Sequence, residues 1–137
     1  MTNDELIKRA ASVLNPHATS GDRLFGDVAA SLITVQSNVY DGVCIDTGSG
    51  TGFCAEHSAI AAMVTAGEYK IAKIVAVWRD VRDDKLFVLP PCGRCREFIR
   101  QVDDANLETN VVLGIETTLK LKELLPHYAW PQALEQP

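Results

Sequence analysis

An α/β fold, with helices layered on one mixed sheet, is predicted by three features of this 137-residue chain. First, apolar residues at helical spacing alternate with apolar runs of strand length, in the order helix, strands, helix, strand, strand, helix, strand, helix. Second, Ile71 to Trp78 is apolar almost throughout, broken by Lys73, as expected of a central strand covered on both faces. Third, no internal repeat, low-complexity stretch or compositional boundary interrupts the chain, so residues 1–137 read as a single domain with one core.

The elements follow in order. Thr2 and Glu5 form a capping box. Leu6, Ile7, Ala10, Val13 and Leu14 continue a helix that Asn15-Pro16 stops. Ser20-Gly21-Asp22 reads as loop. Val28–Val35 and Val39–Ile45 read as two strands joined by a turn near Ser37-Asn38. The segment from Asp46 to Gly52 is glycine-rich but lacks the Lys-Ser/Thr ending of a phosphate loop and the dinucleotide spacing, so it reads as a pocket rim. Ala55–Ala66 carries the strongest helix signal, dense in alanine and closed by Gly67. After the strand at Ile71–Trp78 come a charged turn, Arg79–Lys85, and a short strand, Leu86–Leu89. Pro90-Pro91 bars helix before it and favours helix just after. Cys92–Val102 is then predicted helical, with Cys95, Phe98, Ile99 and Val102 on one face. Val111–Ile115 is a short strand, Thr117–Leu125 a last short helix ending at Pro126, and the tail from Ala129 irregular.

Composition narrows the function. A hydrophobic fraction of 47% and a charged fraction of 23% are ordinary for a globular domain. The net charge of -5, without a basic run, argues against a nucleic-acid partner. The longest apolar stretches fall short of the roughly 20 residues that span a bilayer, so no membrane partner is expected. The N-terminus carries Asp4 and Glu5 and lacks an apolar core, so it does not read as a secretory signal, and a cytoplasmic location is expected. The four cysteines, Cys44, Cys54, Cys92 and Cys95, then suggest metal ligands, catalytic groups or core residues rather than a disulfide framework.

Two segments carry the chemistry: Cys54-Ala55-Glu56 and Pro91-Cys92-Gly93-Arg94-Cys95, each opening a predicted helix. Cys92 and Cys95 stand three apart on a first helical turn, so both sulfurs can face one ion. Alone, that spacing also fits a redox pair or chance burial; Cys54 at the start of a second helix favours a shared metal. Thiolates bind zinc, and helix N-termini favour thiolates. Three thiolates on Zn²⁺ leave a net charge of minus one, which the two helix dipoles, with Arg94 or Arg96, offset; one of those arginines is expected to donate to a cysteine sulfur. Three protein ligands leave a fourth position for water, the mark of a catalytic rather than structural zinc. Glu56, two residues beyond Cys54, is placed to take the proton of such a water, and burial beside an anionic cluster raises its pKa. Cys44 reads as a small buried strand residue. His17, His57 and His127 do not read as ligands, and His57 is a candidate to support the metal site or a subunit interface.

These segments closely resemble the cytidine deaminase superfamily, whose signature is H-x-E followed by P-C-x-x-C. Cysteine stands here in place of the histidine, as in the tetrameric cytidine deaminases and blasticidin S deaminase. The similarity extends weakly over the chain: Val28-Ala29-Ala30-Ser31-Leu32 looks like the family's first strand, Glu123-Leu124-Leu125-Pro126 like its C-terminal segment, and Trp130 lies where the family often carries an aromatic near the pocket. The resemblance implies a three-layer α/β/α sandwich on a five-stranded mixed sheet. It implies one zinc per subunit on Cys54, Cys92 and Cys95, with Glu56 carrying protons. The metal-activated water would attack the amino-bearing carbon of a cytosine-like ring, releasing ammonia from an aminopyrimidine nucleoside. It also implies a homotetramer with pockets lined by neighbouring subunits.

Departures from the family bear on the substrate. Where cytidine deaminases usually carry Gly-x-Asn-x-Glu to grip ribose, this chain has Gly42-Val43-Cys44-Ile45-Asp46, and a cysteine lacks the paired donor and acceptor of an amide. The usual aromatic before the first strand is out of step, with Gly26 in its aligned place and Phe25 preceding it. Phe25, Cys44, Asp46 and Trp130 are therefore the candidate substrate contacts. Besides a nucleoside deaminase, the sequence allows the same chemistry on a blasticidin S-like or modified cytosine. It also allows a non-catalytic zinc-stabilised module closed by Cys44 as fourth ligand, and a thiol redox protein using Cys92 and Cys95.

Overall fold

The computed structural model describes residues 1–129, 131 and 133–135. Trp130, one of the candidate substrate contacts, lies outside the described residues.

The first helix, α1 (Asn3–Ser12), starts on the capping box its sequence announces: Glu5 N donates to Thr2 Oγ1 at 3.1 Å and Thr2 N to Glu5 Oε2 at 2.8 Å. A two-residue strand, β1 (His17–Ala18), follows in a stretch the sequence left unassigned. Asn15 N donates to Gly26 O at 2.9 Å and so lays the chain against the start of the next strand. That strand, β2 (Leu24–Thr34), begins four residues before the predicted Val28 and forms a hairpin with β3 (Val39–Asp46). Then come α2 (Ala55–Thr65), β4 (Ile71–Asp80), β5 (Lys85–Leu89) and α3 (Gly93–Val102). An unpredicted 3-10 turn at Asp104–Glu108 precedes β6 (Asn110–Val112), β7 (Thr118–Lys120) and the single turn α4 (Leu121–Leu124).

The predicted helix over Thr117–Leu125 is thus shortened to the turn α4, and β7 takes the residues ahead of it. Leu113 N bonds Thr117 O at 2.8 Å, closing a tight loop that returns residues 118–120 antiparallel to β6. Pairing with an open sheet edge satisfies more backbone groups than one extra helical turn would.

The sheet is mixed and has seven strands. Its spine is the five strands β3-β2-β4-β6-β7, in which β4 and β6 are parallel and the other pairs antiparallel. The short strands β1 and β5 pair antiparallel to β2 and β4. Side chains alternate between two faces, as the period of two requires. Ala30, Leu32, Ile74, Ala76 and Val111 pack with Ala59, Ile60 and Met63 of α2 and Ile99 of α3. Ala29, Val75, Val77 and Val112 face the other way, against Leu6, Ile7 and Ala10 of α1. The result is three layers, with α1 on one side and α2 and α3 on the other. Among the described residues, no helix is long and apolar enough to cross a membrane.

α2 lies very close to the sheet because Gly42 of β3 has no side chain: a Cβ there would stand 2.3 Å from Ala59 N. Ser58 Oγ also donates to Val43 O at 2.7 Å. These contacts fix where the N-terminus of α2 ends, and so where the chemistry sits.

Candidate active site

Cys54 and Cys92 occupy the N-cap positions of α2 and α3, both with extended backbone (φ -73°, ψ 160° and φ -68°, ψ 172°) and neither making a side-chain cap hydrogen bond. An N-cap is normally Ser, Thr, Asp or Asn, whose oxygen satisfies the free N–H groups of the first turn. Cysteine there leaves those N–H groups and their partial positive charge directed at sulfur. Gly93 and Arg94 carry α3 on to Cys95, which is buried at 1% exposure.

The three sulfurs converge. Cys54 Sγ stands 3.6 Å from Cys92 Sγ, and Cys92 Sγ 3.4 Å from Cys95 Sγ; all three lie within 4.8 Å of one another. A tetrahedral zinc with about 2.3 Å bonds to sulfur separates its sulfurs by about 3.8 Å, so the cluster has the size such an ion needs. Ionisation points the same way. Burial raises the thiols of Cys54 and Cys95. At Cys92 burial acts upward too, but the backbone N–H of Cys95 and the neighbouring groups of the turn bring that thiol below its ordinary value. Three sulfurs this close become thiolates together only when a cation joins them. The residues present therefore fit a metal ion.

The fourth sulfur is elsewhere: Cys44 Sγ bonds Asp27 Oδ1 at 2.8 Å, and Cys44 is not part of the metal-sized group. A closed four-cysteine site thus finds no support in the geometry. Among the described residues, neither arginine hydrogen-bonds a sulfur. Arg94 Nη1 donates to Gly52 O at 3.2 Å; Arg96 donates from Nε to Pro91 O at 2.8 Å and from Nη1 to Leu124 O at 3.2 Å. Both guanidinium groups are engaged by backbone carbonyls instead. His57 does meet a sulfur: its Nδ1 stands 3.7 Å from Cys95 Sγ. Its ring stacks on Phe98 with centroids 4.3 Å apart, and burial, then the charge of Arg94, holds its pKa below the ordinary value.

Beside the sulfurs opens a pocket of about 180 Å³, lined by Cys54, Ala55, Glu56 and Cys92 from the helix starts, Val28 and Ala76 from the sheet, and Cys44, Leu89 and Pro90. Small-molecule pockets start near 300 Å³, so this space holds one ring rather than a polymer. Glu56 is 5% exposed. Burial raises its carboxyl above the ordinary value, and its own backbone N–H and Cys95 offset this in part. A buried carboxyl of raised pKa facing both a metal-sized sulfur cluster and a ring-sized cavity can accept a proton and return it.

The candidate substrate contacts scatter. Cys44 lines the pocket. Asp46 is exposed, and its Oδ1 accepts from Gly48 N at 2.9 Å, bracing the glycine-rich loop. Phe25 is paired in the sheet with His17 and Ile45 and is not among the pocket-lining residues. Sequence reasoning missed Asp27, the partner of Cys44. The signal available for it was Gly26, an isolated glycine in a strand pattern, which marks bulges.

Comparison with known proteins adds the following. Residues 1–110 match the family model described as "Cytidine and deoxycytidylate deaminase zinc-binding region". The fold is shared with the cytidine deaminase of Mycobacterium leprae, at 24% identity and a TM-score of 0.71 over 93% of this chain and 100% of that one. It is shared with cytidine deaminase from Burkholderia pseudomallei, at 24% identity and TM-score 0.71 over 93% of this chain and 98% of that one. The Bacillus anthracis cytidine deaminase gives 23% identity and TM-score 0.72 over 93% and 88%.

Proposed function

This chain belongs to the cytidine and deoxycytidylate deaminase family, and from that premise we propose that it is a zinc-dependent hydrolase that converts an aminopyrimidine nucleoside to the uracil form with release of ammonia. The observation that carries the reading is the placement of Glu56, buried with a raised pKa, in the wall of a ring-sized pocket that also exposes Cys54 and Cys92.

Cys54, Cys92 and Cys95 would hold the zinc, which when bound supplies an acidified water and a Lewis acid at the pocket floor. Val28, Ala76 and Leu89 give the pyrimidine an apolar slot. The Glu56 carboxylate takes one proton from the attacking water and delivers it to the ring nitrogen, which makes the amino-bearing carbon more electrophilic. A second proton, from the hydroxyl just added, passes through Glu56 to the amine. The C–N bond then breaks with its electron pair on nitrogen, ammonia leaves, and a carbonyl remains.

Assembly as a homotetramer belongs to the same reading, supported by a pocket open to solvent on which Cys92 is exposed in the single chain.

The test is ammonia release by zinc-loaded protein from cytidine, 2′-deoxycytidine, a 5-modified cytidine and blasticidin S. We expect stoichiometric ammonia and uracil-type product from at least one of them, lost on chelation and restored by zinc. No ammonia from any aminopyrimidine would overturn the reading. Fastest turnover of blasticidin S would move the substrate to the antibiotic class.

A further inference from the structure

The three clustered sulfurs differ in access. Cys54 and Cys92 line the pocket, whereas Cys95 is 1% exposed and is not among the pocket-lining residues. Cys92 Sγ reaches both of the others, at 3.4 Å from Cys95 Sγ and 3.6 Å from Cys54 Sγ. Any small reactive molecule that enters the ring-sized space therefore meets Cys92 with Cys95 directly behind it.

The sulfurs also differ in freedom. Cys92 is the N-cap of α3: its carbonyl accepts from Arg96 N at 3.0 Å, which fixes its backbone, while its side chain makes no cap hydrogen bond and can turn about Cα–Cβ. A disulfide needs its sulfurs about 2.05 Å apart, so this pair has to close by about 1.4 Å. Cys54 has farther to come, and it opens α2, which Gly42 and the hydrogen bond from Ser58 to Val43 O hold against the sheet. A reachable thiol at a helix N-cap with a buried thiol three residues on suits attack at the first sulfur and resolution by the second.

From this geometry we propose that Cys92 and Cys95 form a reversible dithiol–disulfide pair that switches the site between a metal-holding reduced state and a metal-free oxidised state, with a small hydroperoxide as the oxidant. The proposal rests on the metal reading above and adds a regulation of that same site. The Cys92 sulfur attacks a peroxide oxygen; an S–O bond forms, the O–O bond breaks, and hydroxide leaves with the electron pair. The Cys95 sulfur then attacks the Cys92 sulfur; the S–S bond forms, the S–O bond breaks, and a second hydroxide leaves. Both hydroxides take protons from solvent. The two sulfurs are oxidised and the peroxide is reduced to water. Cys54 alone then remains as a thiolate, too few ligands to hold zinc. A dithiol reductant reverses the change by exchange.

The test treats zinc-loaded wild type and Cys44→Ser with a small excess of hydrogen peroxide. Free thiols are alkylated, the chains are digested with trypsin and weighed, and zinc is followed with a chromogenic chelator. Cleavage after Arg94 separates the two cysteines, so a link between them joins two peptides. Both proteins should become about 2 Da lighter, with Cys92 joined to Cys95, and release about one zinc per chain. Dithiothreitol should restore the mass and the zinc binding. Metal-free Cys54→Ser should form the same link. A bond between Cys54 and Cys92 in its place, zinc retained with no loss of mass, or oxygen added to the sulfurs without a link would overturn the proposal. Reduced wild type that binds no zinc would overturn the metal reading, and the switch with it. Zinc-replete protein that never forms the link would overturn the switch by itself.

Discussion

Glu56 and the cysteines around it illustrate how one residue's chemistry depends on its address. A glutamate in the first turn of a helix ordinarily faces water and favours the dipole. Here α2 is so nearly uncharged, and packed so close to β3 across Gly42, that its first turn is buried with the carboxyl inside. Replacing Glu56 by Gln keeps the shape and removes the proton carrier. Turnover should fall by about a hundredfold or more while zinc content and melting temperature stay near wild type; near-normal turnover in a zinc-replete variant would remove Glu56 from its role. The cysteine and glutamate positions were legible in the sequence because they are a matter of spacing: two residues from Cys54 to Glu56, three from Cys92 to Cys95. The surroundings were less so. That His57, rather than Arg94 or Arg96, meets a sulfur depends on which carbonyls happen to lie within reach of each guanidinium group. Asp27 depends on a register shift whose local sign is the isolated Gly26.

At the scale of elements, long periodic segments were read correctly, as were the short strands β5 and β6, but β1, β7 and the 3-10 turn were not. α1, α2, β4 and α3 follow from apolar periodicity and caps. β1, β7 and the 3-10 turn depend on partners distant in sequence. The 3-10 turn in particular is held by Asn106, fully buried, whose Nδ2 donates to Tyr69 O and Ile99 O while Oδ1 accepts from Ile71 N. A second such joint ties the end of α2 to the β2–β3 hairpin. Tyr40 Oη donates to Glu68 Oε2 at 2.7 Å and Asn38 Nδ2 at 3.0 Å. Hydrogen bonds from Thr34, then Tyr40 and Asn38, hold the Glu68 carboxyl below its ordinary value of 4.5. A carboxyl depressed in the folded state stabilises fully above its unfolded value, and loses that contribution as the pH falls through its folded one. Glu68→Gln should therefore melt below wild type at pH 7, and the gap should close as the pH is lowered past about 4. A gap independent of pH would show that Glu68 acts by packing rather than by charge.

Over the whole molecule, a three-layer arrangement on a mixed sheet brings two helix starts, α2 and α3, to the same place beside β4. The sequence predicted the layers through the nearly continuous apolar run of β4, whose residues alternate between the two cores. The number of strands was harder to read, since β1 and β7 are only two and three residues long. The functional account needs this convergence, because Cys54 and Cys92 are 38 residues apart and come within 3.6 Å only when both helices dock on one side of the sheet. The most direct measurement is the zinc K-edge X-ray absorption spectrum of the purified, zinc-loaded protein. The account predicts three sulfur neighbours at about 2.3 Å and one light oxygen neighbour, with the same spectrum in Cys44→Ser. Four sulfur neighbours, or a spectrum that changes when Cys44 is replaced, would contradict it.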